Sequence, residues 1–61
     1  MFDIGAEYRF FYLEGDNDYG ILLDLDDQYF KVKLVYQKLL PIRFIPKSTI
    51  WYITPCQTDK K

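Results

Sequence analysis

The chain has 61 residues and a mass of 7.4 kDa, room for one small domain that buries about 60% of its extended surface and too little for two cores. With 49% apolar and 20% aromatic residues it is too hydrophobic to be disordered, and one cysteine without any histidine provides neither an internal disulfide nor an ordinary zinc site. Eight basic and nine acidic side chains leave a net charge of −1, which neither selects nor excludes a polyanion; partner chains are the expected source of extra stability for so small a core.

Period-two alternation and a wealth of Tyr, Phe, Ile, Val and Thr predict strands throughout. The first runs from Tyr8 to Leu13 and ends in Glu14-Gly15-Asp16-Asn17-Asp18, a cluster suited to a tight hairpin. The second spans Tyr19 to Leu25. The third, Tyr29 to Tyr36, turns Phe30, Val32 and Leu34 inward and Lys31 and Lys33 to water. A fourth is expected over Leu40 to Ile45, with Pro41 at its start, and a break at Pro46-Lys47-Ser48 in the form of one 3₁₀ turn. The fifth covers Thr49 to Ile53, and Pro55 leads into a polar tail, residues 57–61, expected to fray. Five short antiparallel strands cover one hydrophobic face by curling up, so the predicted fold is all-β: a single domain forming a strongly bent, five-stranded antiparallel barrel.

Charge is distributed unevenly along this order. Residues 1–27 carry eight acids and only Arg9 as a base, whereas residues 28–61 carry seven bases and only Asp59 as an acid. Such polarity suits a polyanion on the basic half, or head-to-tail docking of identical chains. No apolar run approaches a membrane span and the N-terminus lacks the succession of a secretory signal, so a cytoplasmic protein without a membrane partner is expected.

Two stretches carry a resemblance. Gly20, Leu22 and Asp26 are spaced as in the first motif of the Sm-like family, the RNA-binding ring proteins that include Sm, Lsm and Hfq. The segment Ile45 to Ile53 is similar in length and apolar rhythm to the family's second motif, and Gly5 to Gly15 matches the first strand and its turn. The resemblance implies an Sm-like (SH3-like) barrel without the family's N-terminal helix, for which the four residues before Gly5 leave almost no room. It also implies a homo-oligomeric ring of five to eight copies, closed by pairing the fourth strand of one protomer with the fifth of the next, and binding of single-stranded RNA. Asp26 would orient its loop. The family's base-reading asparagine falls on Phe30, or on Gln28 or Tyr29 with a loop one residue longer, and Lys47 and Ser48 lie where Hfq has its Lys-His pair.

The candidate RNA-binding residues are therefore Gln28, Tyr29, Arg43, Lys47 and Ser48. The Lys47-Ser48 turn offers a cation, a hydroxyl and backbone N–H groups to a phosphate or a uracil edge, and Tyr29 offers a ring to an unpaired base; an ordinary polar turn and a half-buried strand tyrosine are the plain alternatives. Arg43, with Lys31 and Lys33, would line a phosphate path, although strand lysines more often discourage aggregation. Phe44, Ile45, Trp51, Tyr52 and Ile53 form a segment apolar on both faces of a strand, which assigns one face to a neighbouring subunit, unless Trp51 caps one end of the monomer's barrel.

The acids Asp16, Asp18, Asp24, Asp26 and Asp27 do not follow a calcium-loop pattern and read as a solvated hairpin end. No nucleophile has a recognisable base beside it and no glycine-rich phosphate loop is present, so neither catalysis nor a cofactor is expected; Cys56 reads as a bystander. The leading function is non-catalytic, ring-forming RNA binding, as a chaperone or regulator. The alternatives are an SH3-like barrel for protein docking, such as an accessory subunit of a larger assembly, viral ones included, and a DNA-associated barrel.

Overall fold

Tyr8, Phe10 and Tyr12 alternate with Glu7, Arg9 and Phe11, and this period of two buries the first set while leaving the second half-exposed. The computed structural model, which describes residues 2–56, repeats that pattern in five strands: β1 (Glu7–Tyr12), β2 (Asn17–Leu25), β3 (Tyr29–Leu34), β4 (Ile42–Pro46) and β5 (Ile50–Pro55). A 3₁₀ turn, Lys47–Thr49, joins the last two. The tail expected to fray, residues 57–61, lies outside the described residues.

All five strands are antiparallel neighbours in one sheet of order β4-β3-β2-β1-β5. The sheet is not closed: β4 and β5 are its two edges, so the expected complete barrel is corrected to an open, curled sheet. Curling is evident from the core, in which Ile45 of β4 packs in one cluster with Phe10, Leu22, Phe30, Val32 and Leu34, against which Ile50 and Ile53 of β5 also lie. Burying these apolar side chains is the main force holding the strands together.

Two irregularities help the sheet to bend. The β2–β3 register slips between Leu22 and Asp24, and the β1–β5 register slips between Phe11 and Tyr12, which face Tyr52 and Ile50 respectively. Each slip inserts one extra residue, Leu23 or Trp51, and such bulges sharpen local twist. Gly20, on the inward side of β2, permits close approach of β3: a Cβ there would stand 2.7 Å from Val32 Cγ1 and nearer still to the Lys33 carbonyl oxygen.

Strand limits differ from the sequence expectation for identifiable reasons. β2 begins two residues early, at Asn17, because Asp18 is drawn inward. β3 stops at Leu34, where the Gln37 N–H donates to the Leu34 carbonyl (3.2 Å) and turns the chain. β4 starts at Ile42, after Pro41, whose carbonyl accepts from the Leu34 N–H (2.7 Å).

Candidate nucleic-acid interface

Asp26, Asp27 and Gln28 connect β2 to β3, and the Asp26 side chain organises this connection. Its Oδ1 accepts from the N–H groups of Gln28 and Tyr29, each at 2.8 Å, while its own N–H donates to the Tyr29 carbonyl (3.0 Å). A carboxylate is suited to capping successive amides in this way. These two N–H donors hold its carboxyl below the usual carboxylate range, helped by the nearby Lys47 charge.

The loop is tied to the 3₁₀ turn by one backbone bond, Lys47 N–H to the Gln28 carbonyl at 2.8 Å. The turn follows Pro46, and Thr49 Oγ1 closes it by donating to the Pro46 carbonyl (2.7 Å). Between loop and turn lies a cleft of about 340 Å³ lined by Asp27, Gln28, Tyr29, Pro46, Lys47 and Ser48. Four of the five candidate RNA-binding residues thus meet, although about twenty residues of chain separate the two pairs. Tyr29 is 41% exposed, so its ring is free to stack, and the Lys47 ammonium lies 5.1 Å from the centroid of Phe30 beneath the cleft. Phe30, the position four residues after Asp26, is a core residue and offers no polar atom to a base.

Arg43 is not in this cleft. It borders a separate groove of about 360 Å³ in the open seam, with Tyr12, Leu13, Glu14, Phe44 and Ser48 among its walls. Its guanidinium sits 3.5 Å from Asp18. Asp18, 8% exposed, also accepts hydrogen bonds from the hydroxyls of Tyr12 and Tyr36. Burial, reinforced by donation to this carboxylate, raises the Tyr12 hydroxyl well above the ordinary tyrosine range and pushes that of Tyr36 up to about 12. Asp18 therefore joins β2 to β1, β4 and the β3–β4 connection. The sequence reading of Asp18 as part of a solvated acidic turn is corrected accordingly, since a buried charge needs partners of this kind.

The segment assigned to a subunit contact divides in two. Phe44, Trp51 and Tyr52 are exposed, whereas Ile45 is a core residue, 1% exposed, and Ile53 packs against the core. Ile45 is thus a core residue of the protomer, because Phe44 and Ile45 point to opposite faces of β4, and Ile53 is half-buried against that core. In β5 the extra residue Trp51 resets the alternation, so that Ile50 and Ile53 point in while Trp51 and Tyr52 both point out. On the outer side Tyr52 stacks on Phe11 at 4.6 Å, with Trp51 edge-on at 4.8 Å.

The edges themselves are short. Hydrogen bonds from Lys47 to Gln28 and from Leu34 to Pro41 fix the phase of β4, turning the backbone groups of Ile42 and Phe44 away from β3. Pro46, in the same phase, has no N–H to offer. Among the described residues, no three acidic or thiol side chains converge as a metal cage, and no helix is long and apolar enough to cross a membrane. No protein family, curated protein or solved structure matches the chain.

Proposed function

We propose that the chain is a divergent Sm-like protein that assembles in the cytoplasm as a homo-oligomeric ring of five to eight copies and binds single-stranded RNA without catalysis. The observation that carries this reading is the bond between Lys47 and Gln28, which draws Gln28, Tyr29, Lys47 and Ser48 around one cleft. The roles follow from their chemistry: Tyr29 stacks on a base, Lys47 meets a phosphate, and Gln28 and Ser48 offer hydrogen bonds to a base edge. The strand order supports assembly, since β4 and β5 are unpaired edges and pairing them between copies removes both.

Fluorescence anisotropy with labelled oligouridine at low salt tests the reading. Wild-type protein is expected to bind, and Tyr29→Ala to lose about 1 to 3 kcal/mol, roughly five- to 150-fold in affinity. Absence of binding to oligouridine and oligoadenine alike by a monodisperse sample would overturn it.

A protein-docking module is favoured by a different observation. Leu39 and Leu40 in the β3–β4 connection are 90% and 80% exposed, the kind of apolar surface a protein partner covers. Light scattering separates the two readings: a ring supports the first, and a monomer stabilised only by another protein supports the second.

A further inference from the structure

Lysines on a strand commonly keep a free sheet edge from pairing. That reason does not apply to Lys31 and Lys33, because β3 is an interior strand flanked by β2 and β4. Their outer face has a composition of its own. Alternation along β3 places Tyr29, Lys31 and Lys33 in one outward row, about 6.6 Å apart. The register with β4 sets Phe44 beside Lys31 and Ile42 beside Lys33. Phe44 is 60% exposed, and the Lys31 ammonium lies 5.8 Å from its ring centroid.

Charge on this face is not balanced by pairing. Among the described residues the ion pair is Arg43 with Asp18, which leaves Lys31 and Lys33 without a carboxylate within 4.0 Å. Asp24 is the acid opposite Lys31, and its Oδ1 accepts from the Leu25 N–H. Asp26 and Asp27 lie at the loop end of the row, where the Asp26 carboxylate caps backbone amides. Tyr29 links the two regions: it lines the cleft with Lys47 and also a smaller recess with Asp24, Lys31 and Phe44.

We infer that a single-stranded RNA seated in the cleft continues across the outer face of β3 and β4, with bases on Tyr29 and Phe44 and phosphates on Lys31 and Lys33. This path rests on the proposed reading of the cleft and extends it from one nucleotide-sized site to a track. Exposed rings interleaved with cations suit a polynucleotide, whose bases stack irrespective of identity and whose phosphates demand the cations. A protein partner needs no such repeat of lysines, which are depleted from protein interfaces.

The test compares three- and nine-nucleotide oligouridines by anisotropy across a salt series. The variants are Lys31→Ala with Lys33→Ala, Phe44→Ala and Asp24→Asn, all surface changes whose folding is checked by thermal melting. The double lysine variant is expected to weaken the nine-mer about tenfold at low salt and to flatten its salt dependence by about 1.4, while the three-mer changes less than about twofold. Asp24→Asn, which removes the carboxylate opposite Lys31, is expected to tighten the nine-mer. Wild-type binding of both lengths with no effect of these variants overturns the track and leaves the cleft standing. Binding of neither length overturns the cleft reading and the track together. Loss of self-association in Phe44→Ala with unchanged RNA affinity overturns the track in favour of a face between copies.

Discussion

Replacing Gly20 with alanine probes how tightly the sheet is curled. Gly20 faces Tyr8 across one ladder and Leu34 across the other. The added methyl would stand 2.7 Å from Val32 Cγ1 and closer to the Lys33 carbonyl oxygen. A side chain can rotate away, but that oxygen belongs to the backbone of a hydrogen-bonded strand, so β2 and β3 must separate locally. Overpacking of this kind costs about 1 to 3 kcal/mol, and the lower unfolded-state entropy of alanine returns about 0.4 to 1 kcal/mol. The net loss is about 0 to 2.6 kcal/mol, which at about 4 to 8 °C per kcal/mol lowers the melting temperature by up to about 20 °C. Thermal unfolding followed by circular dichroism measures it. Gly15→Ala is the control: no atom lies within 4 Å of its added carbon, but its φ of 107° isolates backbone strain from crowding. A Gly20→Ala protein melting above the wild-type temperature would refute the close approach of β2 and β3.

The Asp18 cluster predicts alkaline sensitivity. Folding favours the neutral Tyr36 phenol, so its contribution is complete below the ordinary value of 10.0 and is lost as pH rises through about 12; Tyr12 acts in the same direction. Urea titrations between pH 9 and 12 should show a shallower loss for Tyr36→Phe than for wild type, and equal slopes would count against the cluster. Ile45→Ala should cost about 2 to 5 kcal/mol in urea unfolding, whereas Phe44→Ala should stay within about 0.5 kcal/mol. Comparable losses at the two positions would mean that β4 does not present its faces as described.

Much of the fold is legible from alternation alone, and the inward set Phe30, Val32 and Leu34 is read correctly because β3 is regular from end to end. β5 is different: one extra residue changes which side chains face inward, and nothing in the string Ile50-Trp51-Tyr52-Ile53 marks the place. Without that slip both faces look apolar, and the inward turn of Ile53 cannot be read from the string. The apolar run Phe44-Ile45 likewise does not say which member faces the core. The role of Asp18 was obscured by its acidic neighbours, since acids beside a turn are ordinarily solvated. A signal did exist, as Asp18 shares its phase with Gly20 and Leu22 and must face inward if β2 starts early. Its partners Tyr12, Tyr36 and Arg43 come from three other segments and only the fold unites them. Charge segregation along the chain is partly undone in space, because antiparallel pairing sets Lys31 opposite Asp24 and brings Arg43 to Asp18.

Two unpaired edges and a cleft that brings Tyr29 and Lys47 together make assembly and RNA binding a joint expectation, which native mass spectrometry of the full chain with and without a nine-nucleotide oligouridine addresses in one experiment. A closed species of five to eight copies that gains the mass of bound oligonucleotide is expected, with a smaller gain for Tyr29→Ala at equal concentration. A monomer that acquires no oligonucleotide mass at low salt would contradict that expectation.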